Sequence, residues 1–304
     1  METEFKTADA ASYNEHVESF DRFTARMSTP MAARMVDLAG IGPTSRVLDI
    51  GTGTGIVAIE ALATGATLTG IDLSEKMMEL ARRRVDERGL GAKADFRAMD
   101  AEALELQDRS FDSVVSLYAL LHFPSPEKAL AEMLRVLKPG GTMVLAVGSG
   151  PRWLSPAGAR HAVELLPHLI ARRRGREWVA PAALDDLLEK HLVKDSSLQE
   201  ESELAGRGRN RSASIRPLVA AAGFTDISTD WTGLMTEFTT AEEFWEVQRT
   251  FSSIARKRIN AAPPERVKAL KAGFLSECQR LLDQGGRLVY PTGAFFVRAR
   301  RPRD

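Results

Sequence analysis

An alternation of short apolar strands with helical segments, between Arg46 and about Val147, most constrains the fold of this chain. The first strand runs directly into three glycines at alternate positions, Gly51, Gly53 and Gly55. Strands separated by helices of this length pair in parallel through right-handed crossovers. The pattern therefore predicts an open α/β sheet with a ligand crevice at the carboxyl ends of its strands. The predicted strands are "RVLDI" (46–50), "TLTGID" (67–72), "KADFRAM" (93–99), "FDSVVSLY" (111–118) and "TMVLAVG" (142–148).

The segments on either side of this core have a different pattern. Residues 10–39 predict helices that can cover the crevice as a lid. Residues 151–212 lose the alternation, and beyond them the pattern predicts a helix, a strand, a helical pair and a final strand that returns to the sheet. We expect residues 1–304 to form a single domain. Its parts would be lid helices (1–45), a ligand-binding core (46–150), an inserted cap (151–212) and the remaining sheet (213–304) with a helical insertion at about 240–285.

The glycine turn after Ile50 leaves room for a ligand against bare backbone. The helix that begins near Gly55 points N–H groups and its positive dipole end toward the crevice, which favours a carboxylate. The dinucleotide fingerprint requires a third glycine where this chain has Ile56, so the spacing disfavours a nicotinamide-dependent oxidoreductase. A tight strand-to-helix connection without a ligand is the structural alternative.

Asp49 on the first strand, the alternate glycines and Asp72 on the second strand together resemble the class I S-adenosylmethionine-dependent methyltransferases. The resemblance is to the ubiquinone/menaquinone-biosynthesis type, which acts on small molecules. It implies a Rossmann-like, doubly wound, mostly parallel seven-stranded sheet with an antiparallel last strand, and helical lid and cap insertions. It also implies S-adenosyl-L-methionine as the cofactor. Three further segments carry the resemblance: "FRAMDAEAL" (96–104), "FDSVVSLYALLHF" (111–123) and "EMLRVLKPGGTMVLA" (132–146).

The expected cofactor site draws on the ends of four strands. Asp72 can accept hydrogen bonds from both ribose hydroxyls, and the resemblance assigns the adenine to Asp100 and to the Ala101 amide. Met77 lies either on the adenine face or in the core. Many relatives carry cysteine where this chain has Thr52. The predicted cofactor residues are Asp49, Gly51, Thr52, Gly53, Gly55, Asp72, Leu73, Met77, Asp100, Ala101, Ser116 and Leu117.

Tyr118 and His122 follow the fourth strand, where the resemblance places the transferred methyl group. A histidine can accept a proton at cellular pH because its unperturbed pKa is about 6.5. We therefore take His122 and Tyr118 as catalytic candidates, with His122 as the general base. Helix packing beside Phe123 is the alternative for His122.

Aromatic residues outside the core supply the candidates for a substrate pocket. These candidates are Tyr13, Phe20 and Trp153, and ordinary core packing is the alternative for each. Relatives often carry tyrosine at the position of Phe20, so any hydroxyl contact there would be missing. The histidines and the lone Cys278 have no familiar metal-ligand spacing, so we expect no metal.

Composition narrows the expected partners. Lys plus Arg and Asp plus Glu both number 41, and this zero formal charge disfavours a nucleic-acid partner. One cysteine, no signal-peptide pattern and no long apolar run predict a soluble, cytoplasmic protein without a transmembrane segment. A homo-oligomer remains open. The arginine runs at 172–176 and 207–211 are either solvated faces or a binding surface for an anionic substrate or lipid.

The sequence therefore predicts an enzyme that moves the methyl group of S-adenosylmethionine to a small-molecule acceptor. The acceptor atom can be O, N, C or S, and an in-line displacement depends mainly on positioning. Two alternatives remain: a nucleic-acid or protein methyltransferase, and a non-catalytic S-adenosylmethionine-binding protein.

Overall fold

The structure is a computed structural model that describes residues 17–148, 156–180, 211–251 and 262–303, together with Leu184 and Ile259. The chain divides into two compact units. Unit 1 comprises Met1–Ser149, Asn210–Thr232 and Ala294–Asp304, and unit 2 comprises Gly150–Arg209 and Gly233–Gly293. The single-domain organisation expected from the sequence stays a prediction.

Helices and strands alternate through the first half of the chain, as the sequence predicts. The first elements are α1 (Val17–Ala39), β1 (Arg46–Ile50), α2 (Ile56–Ala63), β2 (Thr67–Asp72), α3 (Glu75–Asp86), β3 (Ala94–Ala98), β4 (Phe111–Leu117), α4 (Pro126–Val136) and β5 (Leu137–Gly148). The later elements are α5 (Pro156–Arg173), β6 (Glu177–Val179), α6 (Arg211–Ala221), β7 (Thr225–Phe238), α7 (Ala241–Phe251), α8 (Pro264–Asp283) and β8 (Arg287–Arg300).

The strands of unit 1 follow the order β3-β2-β1-β4-β5-β8. Strands β1 to β5 pair in parallel, and β8 pairs antiparallel with β5. This confirms the predicted Rossmann-like sheet with an antiparallel last strand. The described residues contain eight strands rather than the predicted seven, because the short β6 also pairs with β8 through residues of unit 2.

The core of unit 1 explains why the strands are so apolar. Leu48, Val114 and Met143 are fully buried, as expected for a parallel sheet that helices cover on both faces. Helix α3 begins at Ser74, whose hydroxyl accepts a hydrogen bond from the Met77 N–H at 3.2 Å. β5 begins at Leu137 rather than at the predicted Thr142, because a register shift in its pairing with β4 accommodates the proline and glycines between them.

Unit 2 has its own aromatic core. Phe244 stacks on Phe274 with ring centroids 6.0 Å apart, and Trp245 meets Phe274 edge-on at 5.3 Å. Phe238 and Cys278 are also buried, and burial raises the pKa of the Cys278 thiol to about 12. Helix α5 and strand β6 are elements that the sequence pattern did not predict. In the described part of the chain, no helix is long and apolar enough to cross a membrane.

Candidate functional site

The sheet of unit 1 has a topological switch point between β1 and β4. From β1 the chain builds β2 and β3 on one side, then returns to build β4 and β5 on the other. Asp49 of β1 is aligned with Gly70 of β2 and with Val115 of β4. Ligands of open α/β sheets bind outside the carboxyl ends of the strands at such a point. The predicted cofactor residues all lie on these strand ends, on the connections that follow them, or on the first turn of α3.

The three glycines of the turn after β1 all have left-handed backbone conformations, with φ values of +69°, +52° and +78°. A side chain on Gly51 would overlap the Ala119 methyl group, and one on Gly55 would lie 3.0 Å from the Ala81 methyl group. Only at Gly53 is the side-chain position open, since its nearest atom is the Gly51 carbonyl at 4.0 Å. Packing therefore requires two of these glycines, and Gly53 leaves space for a ligand.

Asp72 ends β2 and faces the glycine turn. One carboxylate oxygen accepts the Gly53 N–H at 2.9 Å, and the other accepts the Ser74 N–H at 2.9 Å. Burial raises the pKa of Asp72, and these hydrogen bonds and the nearby His122 act in the opposite direction. Each carboxylate oxygen has two lone pairs, so Asp72 keeps acceptor capacity beyond the backbone N–H groups of Gly53, Leu73 and Ser74.

Asp49 lies behind the glycine turn and is almost completely buried. Its Oδ2 accepts a hydrogen bond from the Thr52 hydroxyl at 2.8 Å, and its Oδ1 has no hydrogen-bond partner in the described part of the chain. Burial raises the pKa of Asp49 to about 7; the Thr52 hydrogen bond lowers it and the neighbouring Asp72 charge raises it. An unpartnered buried carboxylate oxygen costs free energy that a cationic or N–H donor would offset.

The connections after β2 and β3 meet beside Asp72. The Met99 N–H donates to the Asp72 carbonyl at 3.2 Å, which brings Asp100 to the same end of the sheet. Asp100 Oδ1 accepts the Glu102 N–H at 2.9 Å, and Ala101 is buried. In the connection after β2, Leu73 is exposed.

Met77, on the first turn of α3, is 3% exposed. Its burial agrees with packing in the core, which was one of the two interpretations of the sequence.

The exit from β4 supplies the remaining predicted residues. The Ser116 hydroxyl is buried and donates to the Ile50 carbonyl at 2.9 Å, which ties the ends of β4 and β1 together. After Leu117, Tyr118 adopts a left-handed φ of +63°, which is costly for a bulky residue and recurs at functional sites. Burial raises the pKa of Tyr118, so its hydroxyl stays protonated near neutral pH. His122 is exposed in a short 3-10 turn, Leu120–His122.

The structure does not describe the side chains of the predicted substrate-pocket residues. Tyr13 and Trp153 lie outside the described residues, and Phe20 lies in α1 without a described side chain. Within the described ranges, no group of three or more His, Cys, Asp or Glu side chains is arranged to hold a metal.

Arg84 is a residue of this site that the sequence interpretation missed. Its guanidinium is buried, donates to the Thr54 carbonyl at 2.9 Å, and pairs with Asp21 of α1 at 2.7 Å. Burial lowers the pKa of Arg84, and Asp21 opposes that shift. The spacing of Met77, Ala81 and Arg84 was a usable signal, because it places Arg84 on the buried face of α3.

These groups fit the cofactor that the resemblance implies. S-adenosylmethionine carries two ribose hydroxyls, a positively charged amino group and a sulfonium. The acceptor capacity of Asp72 suits the hydroxyls, the unpartnered Asp49 oxygen suits a positive charge, and the open position at Gly53 suits a nucleoside lying against the backbone.

The parallel sheet and its glycine turn define a Rossmann-like nucleotide-binding unit. Residues 48–145 match the family model described as a methyltransferase domain. The match covers about a third of the chain, and it identifies these residues as a methyltransferase domain that uses S-adenosylmethionine.

Two curated relatives illustrate the family. Demethylmenaquinone methyltransferase of Renibacterium salmoninarum is 41% identical over 117 residues, which are 38% of this chain and 47% of the relative. Aklanonic acid methyltransferase DauC of Streptomyces sp. strain C5 is 29% identical over 224 residues, which are 71% of this chain and 99% of the relative. With other curated relatives the chain aligns over about half of the relative's length, from 41% to 51%.

Among solved structures, the YcgJ protein of Bacillus subtilis has a similar fold. It is 18% identical to this chain with a TM-score of 0.51, and the alignment covers 89% of this chain and 97% of YcgJ. At this identity the likeness supports the fold alone.

Unit 2 contains a separate cavity lined by His161, Leu165 and His168 of α5 and by residues 233–235 of β7. The His168 Nδ1 lies 2.9 and 3.0 Å from the two oxygens of Glu177, whose side chain is fully buried. Arg287 also pairs with Glu177, at 2.8 Å. Because a carboxylate only accepts hydrogen bonds, His168 donates through Nδ1, and its Nε2 is the ring nitrogen left for other contacts.

Proposed function

We propose that this protein transfers the methyl group of S-adenosylmethionine to a small organic acceptor. The observation that carries the proposal is the methyltransferase-domain match over residues 48–145, the same residues that build the glycine turn and the switch-point crevice. The names of the two relatives support a small acceptor, since one acts on aklanonic acid and the other on demethylmenaquinone.

In this proposal the residues of the crevice hold and orient the cofactor. Asp72 accepts hydrogen bonds from the ribose hydroxyls, and Gly53 lets the nucleoside approach the backbone. The N-terminus of α2, at Ile56, favours the methionyl carboxylate. Asp100 and the Ala101 amide contact the adenine. The carbonyls of Ser116 and Leu117 face the amino group.

Positioning supplies most of the catalysis in the proposed reaction. S-adenosylmethionine supplies an electrophilic methyl carbon, whose bond to sulfur breaks as its bond to the acceptor atom forms. The chain has to align the acceptor with that carbon and exclude water. When the acceptor carries a proton, His122 is the proposed base, because it is exposed beside Asp72 and an imidazole accepts a proton at cellular pH. Tyr118 keeps its hydroxyl proton and is proposed to orient the acceptor by a hydrogen bond.

The test uses S-adenosylmethionine with a labelled methyl group, incubated with the purified chain and fractionated small-molecule extract. We expect a labelled product whose mass exceeds that of its precursor by one methylene unit, together with S-adenosylhomocysteine. Calorimetry with S-adenosylmethionine and with NAD measures the cofactor preference in parallel. Binding without any labelled product would replace the proposal with a non-catalytic binding role, and binding of NAD alone would remove it.

A further inference from the structure

Helix α5 presents a row of apolar side chains to solvent. Val163, Leu166, Leu169 and Ile170 are 67%, 53%, 52% and 50% exposed. Positions 163, 166 and 170 are three and four residues apart, so these side chains share one side of the helix. Single exposed apolar residues are ordinary, but a contiguous apolar row marks an interaction surface. We refer to these four residues as the apolar row.

The opposite side of α5 is the side that packs within unit 2. His161, Leu165 and His168 are half-buried there and line the cavity described above. At 3.6 residues per turn, this side lies across the helix axis from the apolar row. The row is therefore not the packing face of the helix.

An arginine cluster follows directly at the end of α5. Arg172, Arg173, Arg174 and Arg176 are all exposed, and none pairs with a carboxylate of the described residues. The next residue, Glu177, does not neutralise the cluster, because its carboxylate is buried and paired with His168 and Arg287. The cluster thus places positive charge in solvent beside the apolar row.

We propose that the apolar row and the arginine cluster bind the surface of an anionic lipid bilayer. A helix with an apolar side and adjacent arginines lies in the plane of a membrane interface, with apolar side chains among the acyl chains and cations at the headgroups. A nucleic acid would neutralise the arginines and leave the apolar row in water. A second copy of this chain would cover the row through the same helix, and the oligomeric state tests that alternative below. An anionic bilayer satisfies both features at once, because it offers acyl chains to the row and negative headgroups to the arginines. This binding is independent of the proposed function.

The experiment is co-sedimentation of the full chain with phosphatidylcholine vesicles that contain or lack phosphatidylglycerol. We expect binding only to the anionic vesicles, weakening as salt rises because screening reduces the attraction. Removing two charges in Arg172→Gln/Arg173→Gln should weaken binding by about fivefold for each arginine. The substitution Leu166→Gln/Ile170→Gln should weaken it by about tenfold or more, since it removes apolar contacts with the acyl chains.

The matched control is Arg266→Gln/Lys268→Gln, which removes two exposed charges from α8 of the same unit. It should bind as the unmodified chain does. Equal binding of all variants would overturn the proposal. A different result would also overturn it: the chain binds no vesicle but forms a dimer in analytical ultracentrifugation, and the Leu166→Gln/Ile170→Gln substitution dissociates that dimer. None of these readouts involves S-adenosylmethionine, so failure here leaves the proposed methyl transfer standing.

Discussion

Single residues of the glycine turn have separable roles. Gly51 and Gly55 are needed because Ala119 and Ala81 pack against them, whereas the side-chain position of Gly53 is open. All three glycines carry the same left-handed backbone requirement. A substitution at Gly53 therefore combines a backbone cost with loss of ligand space, and the two effects can be measured separately.

The substitution Gly53→Leu should reduce S-adenosylmethionine affinity strongly, because the new side chain occupies the proposed position of the nucleoside. We expect a loss of about 100-fold or more in calorimetry and a loss of stability of about 1 kcal/mol from the left-handed backbone. Gly89→Leu is the matched control, because Gly89 has a φ of +69° and no neighbour within 4 Å of its side-chain position. It should lose the same stability and keep its affinity. Unchanged affinity in Gly53→Leu would contradict the assignment of the crevice.

Asp49 should make the stability of the protein depend on pH. Its pKa is about 7 in the folded chain and 3.8 ordinarily, so between these values the folded state binds more protons than the unfolded state. The free energy of unfolding therefore falls as pH rises from about 4 to about 7, and this contribution is constant above that. Asp49→Asn lacks this titration. We therefore compare the free energies of unfolding of Asp49→Asn and of the unmodified chain in urea. Between pH 5.5 and pH 7.5 the difference should shift by about 2 kcal/mol in favour of Asp49→Asn. A pH-independent difference would show that Asp49 ionises normally.

At the scale of elements, Arg84 links three parts of unit 1. It joins α3 to the glycine turn through Thr54 and to α1 through Asp21. Helix α1 is also held through Arg34, which pairs with Asp230 of β7 at 2.7 Å. The position of the turn therefore depends on α3 and also on α1, a helix that contributes no predicted cofactor residue.

The substitution Arg84→Met should destabilise the protein by about 2–4 kcal/mol, because it leaves the Thr54 carbonyl and the Asp21 carboxylate without their cation. We expect weaker S-adenosylmethionine binding as well, since the turn loses its support. Arg83→Met is the control, because Arg83 is the preceding residue and is exposed. Equal urea midpoints for the two variants would mean that Arg84 does not hold the turn.

The elements of unit 1 were largely predictable, as was the helical pair α7 and α8 of unit 2, but α5 and β6 were not. β1 and β2 have the predicted bounds because apolar runs that end in glycine or aspartate leave little ambiguity. Helix α5 was missed because its apolar residues face solvent and Pro167 interrupts it, so its pattern does not resemble that of a buried amphipathic helix.

Motif spacing predicted the residues of the proposed cofactor site, but it did not predict the contacts that support the glycine turn. The link from Arg84 to Asp21 joins residues far apart in the sequence, and the overlap of Gly51 with Ala119 arises only when β1 and β4 become neighbours. No local pattern encodes such contacts between elements.

At the scale of the whole molecule, the proposed cofactor site and the cluster formed by Glu177, His168 and Arg287 belong to different units. We refer to these three residues as the ion cluster of unit 2. The described residues of the proposed cofactor site all belong to unit 1, whereas Glu177, His168 and Arg287 belong to unit 2. Glu177 pairs with both His168 and Arg287. Removing its charge lowers the free energy of unfolding, because the Arg287 guanidinium loses its counter-charge.

Glu177→Gln should therefore lower the free energy of unfolding by about 2 kcal/mol, a value reduced from that of a fully buried pair because Arg287 is 39% exposed. S-adenosylmethionine affinity, measured by calorimetry below the unfolding transition, should stay within about twofold because the contacts described for Glu177 involve His168 and Arg287 and no predicted cofactor residue. Glu164→Gln is the control, since Glu164 lies in the same unit with a side chain 69% exposed, and it should change neither quantity. A parallel loss of affinity in Glu177→Gln would show that cofactor binding depends on the ion cluster of unit 2, because the same substitution then changes both properties.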